Sequence, residues 1–170
     1  LVDELFSNEG VGTMVHADSY RMIRALREED IPELLGMIGR SVRRTKLVER
    51  TYEDIQSRIG DFHVMTIDDN VVGCVALHEY PAELCAEVAC LYVKQAHECR
   101  GYGIELVRHV EDIATRRGIP RVFALSNRAA DFFSGKLGYS PASVEVLPSR
   151  RREQYEASGR DSLVFSRQII

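Results

Sequence analysis

The chain has no tryptophan and only five prolines and four cysteines, Cys74, Cys85, Cys90 and Cys99. The cysteines show neither CxxC spacing nor a matching histidine pair, which excludes a zinc knuckle or a disulfide scaffold and leaves free thiols, buried or partly buried. His63, His78, His97 and His109 likewise lack metal-ligand spacing, so no metal is expected and these residues read as structural or exposed. No apolar run approaches the roughly 18 residues that span a bilayer, and the opening LVDELF has none of the regions of a signal peptide. A soluble, cytoplasmic protein without a membrane partner is expected. Nor is there an excess of positive charge: the formal net charge of −4 offers nucleic acid no broad basic field.

What is present fits one domain with one substantial core, since 170 residues carry 45% apolar content. Patterning predicts a strand near Tyr20–Leu26, helices at Asp30–Ile38 and Tyr52–Ile59, and strands at Phe62–Ile67 and Val71–His78 joined by the turn Asp68, Asp69, Asn70. A third strand, Leu84–Val93, completes an antiparallel meander. Beyond it lie a long helix from Tyr102 to Arg117, a strand at Arg121–Ser126, a helix at Ala129–Leu137, and strands at Tyr139–Val146 and Leu163–Ile169. The expected fold class is α/β (α+β), a mixed, mostly antiparallel sheet of about seven strands flanked by helices.

The most informative segment is LCAEVACLYVKQAHECRGYGIELV, Leu84 to Val107: strand, glycine turn, helix start. Gly101 and Gly103 permit tight backbone that turns successive amides toward one point, and the following helix adds its dipole and unpaired N–H groups there. Such a turn suits phosphate. It is not a P-loop, because no GK[ST] follows, and it does not complete GxGxxG, because Leu106 occupies the third glycine position.

Glu98, Cys99, Arg100, Gly101, Tyr102, Gly103 resemble the acetyl-CoA loop of the GNAT superfamily of N-acetyltransferases, with Glu98 where that motif has Arg or Gln. Three further segments are similar to the N-acetylglutamate synthase family within it. They are LVER at Leu47–Arg50, VFALSNRAADFF at Val122–Phe133 and VLPSRRREQYEASGRDSLV at Val146–Val164. With GCVAL at Gly73 and EVACLYV at Glu87 the resemblance covers nearly everything from Tyr20 onward. Residues 1–17, with ELFSNEGVGTMV, resemble the end of an amino-acid kinase domain, so residues 18–170 form the expected N-acetyltransferase domain. An upstream kinase-like domain is implied, and homo-oligomerisation is left open.

The resemblance implies transfer of acetyl from acetyl-CoA, the cosubstrate, to the α-amino group of L-glutamate, as in arginine biosynthesis. Backbone groups of Cys90, Leu91 and Val93 would pair with pantetheine, while Glu98, Arg100, Gly101, Tyr102 and Gly103 would form the pyrophosphate turn. An α-ammonium must lose a proton before it can attack a thioester. Glu87 is the candidate base: an acid inside an apolar strand is costly unless it is paired or readily protonated. Ser126 would hold a relay water or orient the amine, with helix capping as its alternative. Ser134 stands where relatives carry a tyrosine that protonates the leaving thiolate, which leaves the general acid unassigned. Two substrate carboxylates call for guanidinium partners. Arg50, Arg160 and Ser162 match substrate positions, with Arg128 and Arg151 as weaker candidates, and the run Arg150, Arg151, Arg152 reads as a solvated or coenzyme-facing surface. No covalent intermediate is expected, although Cys90 challenges that statement. The alternatives are transfer to another small amine and a non-catalytic acetyl-CoA-binding domain.

Overall fold

The computed structural model describes residues 20–43, 49–127 and 129–170. The expected kinase-like segment 1–17, Leu47 and Val48 of the LVER segment, and Arg128 lie outside the described residues.

Seven strands form one sheet in the order β1-β2-β3-β4-β5-β7-β6. They are β1 (Arg21–Ala25), β2 (Phe62–Ile67), β3 (Asn70–Tyr80), β4 (Cys85–Val93), β5 (Arg121–Ser126), β6 (Ser140–Ala142) and β7 (Leu163–Gln168). Every neighbouring pair is antiparallel except β4 and β5. The β2–β3 hairpin turns at Asp68 and Asp69, whose φ values of 49° and 63° place two short polar residues in the left-handed conformation that a tight hairpin requires.

The sheet is buried on both faces. On one side α1 (Ile31–Arg43) and α2 (Tyr52–Ser57) cover it, with Leu34, Met37, Ile38 and Ile55 packed against Val64, Cys74 and Ala76. On the other, α3 (Tyr102–Arg116) lays Leu106, Val107, Val110 and Ala114 against Val75, Leu77 and Val88. The spacing of those α3 residues is the apolar stripe of an amphipathic helix. A bidentate pair, Arg24 Nη1 and Nη2 to Asp30 at 2.6 and 3.0 Å, ties β1 to the turn that opens α1.

Three elements differ from the sequence expectation. The strand expected over Tyr139–Val146 is only Ser140–Ala142, because Pro141 removes a ladder donor, and a 3-10 turn at Val144–Val146 follows. The helix expected over Ala129–Leu137 is a π-helical turn, Asp131–Lys136. Its wide winding sends Phe133 into the core against Tyr139 and Phe165, while Phe132 lies beside Gly103. The third is an additional helix, α4 (Ser149–Ser158), which starts after Pro148 and ends at Gly159 with φ 62°. It buries none of its residues, so no apolar periodicity announces it.

Candidate active site

The site begins where β4 and β5 part. They pair in parallel only over Cys85–Glu87 with Arg121–Phe123, then diverge. In the same stretch the β3–β4 ladder slips. Ala76 faces Ala89 but Cys74 faces Tyr92, so Cys90 and Leu91 together oppose Val75. Cys90 takes φ 52°, and the bulge re-aims the strand. Two clefts open beside it: Cys90 borders one, Leu91 the other.

The second cleft, about 320 Å³, is bounded by Leu91, Tyr92, Val93 and the turn Glu98, Cys99, Gly101, Tyr102, Gly103, with Phe132 and Lys136 on the far side. Gly101 adopts φ 81° as the N-cap of α3, a conformation that a Cβ would strain. Gly103 has a different reason: a Cβ there would stand 3.3 Å from Phe132 Cζ. The cradle can therefore present amides at the N-terminus of a 15-residue helix. Arg100 is exposed and does not border this cleft, so the structure does not bring it to the turn's other residues.

The first cleft, about 300 Å³, brings together Arg50, Glu87, Cys90, Ser126, Arg151, Arg160 and Ser162 from five separate segments. Each is held locally. Arg50 precedes Thr51, whose hydroxyl accepts from Asp54 N at 3.1 Å while Asp54 Oδ2 accepts from Thr51 N at 2.9 Å, a reciprocal cap that fixes the start of α2. Arg50 Nε is buried without a hydrogen-bond partner among the described residues. Arg160 follows the Gly159 stop, and the Tyr155 hydroxyl donates to Ser162 O at 2.7 Å, pinning that loop to α4. The Ser162 hydroxyl in turn donates to Asn127 Oδ1 and links the loop to the end of β5. Ser126 Oγ accepts from Ala129 N at 3.1 Å, closing the turn ahead of the π-helical segment, whose own N-cap, Ala130, has no side-chain cap.

Glu87 is buried, and it is paired. Arg151 Nε and Nη2 donate to its two carboxylate oxygens at 2.7 and 3.0 Å. Burial is the largest influence and disfavours the charged guanidinium, yet the hydrogen bond and the charge of Glu87 together outweigh it and raise the Arg151 pKa above the usual value. The Tyr80 hydroxyl donates to Glu87 Oε2 at 3.4 Å, and burial together with that carboxylate pushes the phenol up to about 12. Arg151 thus spends Nε and Nη2 on Glu87 while still bordering the cleft. Nor is the arginine run a uniform face, since Arg152 donates to Glu145 O at 2.9 Å and Arg150 borders a separate cleft with Arg58.

Burial raises the Cys90 thiol pKa despite the nearby Arg50 guanidinium, which disfavours a nucleophilic thiolate. Ser134 is exposed and borders neither cleft. Sequence reasoning passed over Tyr80, Tyr155 and Asn127, whose only signal is their register or loop position. It also left His78 with a structural role, although its ring borders the first cleft. Among the described residues no group of metal-ligating side chains could hold an ion, and no helix is long and apolar enough to cross a membrane.

Residues 21–139 match the model of the acetyltransferase (GNAT) family. The chain is 34% identical over 169 residues to an amino-acid acetyltransferase of Neisseria meningitidis, covering 99% of this chain and 38% of that protein. It is 31% identical to the amino-acid acetyltransferase of Mannheimia succiniciproducens, covering 97% of this chain and 37% of the relative. Among solved structures, N-acetylglutamate synthase from Neisseria gonorrhoeae complexed with coenzyme A and N-acetyl-glutamate superposes with a TM-score of 0.85 at 33% identity, over 89% of this chain and 35% of that one. Rv2747 from Mycobacterium tuberculosis in complex with CoA and NLQ shares the fold, with a TM-score of 0.72 at 18% identity over 88% of this chain and 99% of that one. The chain thus spans little more than a third of the length of the amino-acid acetyltransferases it matches.

Proposed function

Because the chain belongs to the acetyltransferase (GNAT) family, we propose that it transfers the acetyl group of acetyl-CoA to the α-amino group of L-glutamate. The observation that carries the reading is the convergence of Arg50 and Arg160 with buried Glu87 in one cleft, across a bulged strand from the glycine turn. Two guanidinium groups suit an acceptor with two carboxylates. The similarity to a synthase complexed with coenzyme A and N-acetyl-glutamate supports the same assignment.

In this reading the coenzyme pyrophosphate lies on the amides around Gly101 and Gly103, and its pantetheine runs along Leu91–Val93. The acetyl group reaches the gap between β4 and β5. Arg50 and Arg160 hold the glutamate carboxylates, with Ser162 on the rim. The ammonium loses a proton through a water held by Glu87, with Ser126 nearby to orient the amine. The neutral amine attacks the thioester carbon, and the oxyanion meets a backbone N–H at the bulge near Leu91. Attack is direct, without an acyl-enzyme.

Thiol release from acetyl-CoA across a panel of amino acids tests this. Release that depends on glutamate and yields N-acetylglutamate is expected. Release with other amines but not with glutamate would reassign the acceptor, and none with any amine would leave a coenzyme-binding domain.

A further inference from the structure

The cleft contains a second proton acceptor, and its assignment rests on the reading just given. His78 on β3 lies directly across the ladder from Glu87 on β4, so the two side chains leave the same face as near neighbours. His78 is 4% exposed and borders the first cleft. Its Nδ1 stands 2.8 Å from Asp61 Oδ2, which also accepts from Arg58 Nε at 2.9 Å. Burial pushes the Asp61 carboxyl up, but the hydrogen bond from His78 and the charge of Arg58 outweigh it and hold it below the usual carboxylate range.

An ionised carboxylate only accepts, so a ring proton sits on Nδ1, and in the tautomer this selects Nε2 is the lone-pair nitrogen. That nitrogen is buried and has no hydrogen-bond partner among the described residues. A buried acceptor without a donor is costly, and a donor brought by a ligand relieves the cost. Glu87 opposite is already engaged, with Arg151 on both oxygens and Tyr80 on one. Of these two neighbouring acceptors at the edge of the cleft, His78 is the one with an unpartnered atom.

We infer that Nε2 of His78 is the final acceptor of the substrate amine's proton. The ammonium gives one proton to the water at Glu87, and that water gives one to Nε2, leaving an imidazolium against ionised Asp61. The amine nitrogen then bonds to the thioester carbon, and the C–S bond breaks with its electron pair going to sulfur. The second proton of the attacking nitrogen neutralises the thiolate. His78 returns its proton to solvent before the next turnover. Asp61 and Glu87 favour the imidazolium, Arg58, Arg151 and Arg50 oppose it, and the Tyr80 phenol stays neutral.

The test compares the parent with His78→Gln and Asp61→Asn in glutamate-dependent thiol release from pH 6 to 9. We expect kcat for His78→Gln to fall roughly 100-fold near neutral pH, with KM for acetyl-CoA unchanged. The deficit should shrink as pH rises and free amine becomes abundant in solution, and Asp61→Asn should show a smaller loss in the same sense. A His78→Gln enzyme with the parental rate and pH profile overturns the inference. If His78→Gln does not fold, 15N spectra of the parent decide: the His78 Nε2 resonance moves on adding glutamate, or the inference fails. A parent that acetylates another amine refutes only the glutamate assignment, and the same comparison is then run on that amine. A parent that acetylates none overturns both.

Discussion

Arg151 of α4 forms two hydrogen bonds to Glu87 of β4, at 2.7 and 3.0 Å, across 64 positions of sequence. The carboxylate side chain is 6% exposed and the guanidinium side chain 20%, so the pair is largely withdrawn from water. It fastens a helix that buries no residue of its own to the strand that splits the sheet. Removing one partner leaves a buried charge uncompensated. Arg151→Ala should therefore lower stability by about 3 kcal/mol, and Glu87→Gln should cost roughly 100-fold or more in kcat with a smaller loss of stability. Thermal denaturation and steady-state kinetics on the two variants separate these effects.

Arg50 and Arg160 converge on the same cleft from the N-terminal cap of α2 and the C-terminal stop of α4. A charge-assisted hydrogen bond contributes about 1.5–3 kcal/mol, or roughly 10- to 100-fold in binding. Replacing either arginine by alanine should raise KM for glutamate by that factor and leave KM for acetyl-CoA unchanged. Lysine at either position should recover only part of the loss, because it keeps the charge and loses the planar fork.

The two glycines of the turn should fail differently. Gly101→Ala forces a Cβ into φ 81°, at a cost of about 1 kcal/mol. Gly103→Ala instead meets Phe132 at 3.3 Å and pushes on the wall of the second cleft. Both substitutions should raise KM for acetyl-CoA several-fold, and Phe132→Leu should restore affinity to the Gly103 variant alone. Coenzyme A titrations of the variants check this.

His63 and His109 form a partly buried contact, Nε2 of His109 lying 3.1 Å from Nδ1 of His63. Burial, then the neighbouring His109, lowers the His63 pKa from 6.5 to about 4. The folded state thus binds this proton less readily than the unfolded chain, so the stabilisation is complete above pH 6.5 and is lost as pH falls toward 4. Urea denaturation of the parent should show stability declining over that window by on the order of 2 kcal/mol, the full shift being reduced by solvent screening of this partly exposed pair. His63→Gln should flatten the decline.

The meander, the glycine turn and α3 were legible because each has a local cause: short apolar runs bounded by turns, a two-aspartate turn, a stripe spaced for one helix face. The glycine turn also carried the resemblance to the acetyltransferase family, and the family match bears out that membership. Arg50, Arg160 and Glu87 were legible only through resemblance, since nothing local tells a buried carboxylate from an outward one. α4 was missed because its sequence, SRRREQYEAS, holds its place through Arg151 and Tyr155 rather than an apolar stripe. The π-helical turn was read as an ordinary helix because its widening depends on where Phe132 and Phe133 find room. His78 was read as structural because its cross-strand partner is nine residues away in sequence and only the register joins them.

The most direct test of the central claim is a crystal structure of the chain with coenzyme A and N-acetylglutamate. Pyrophosphate is expected at Gly101 and Gly103, the two product carboxylates on Arg50 and Arg160, and the acetyl carbonyl at the bulge beside Leu91, with the amide nitrogen facing Glu87 and His78. A product seated with its carboxylates away from Arg50 and Arg160, or excluded from the cleft while coenzyme A is bound, would contradict it.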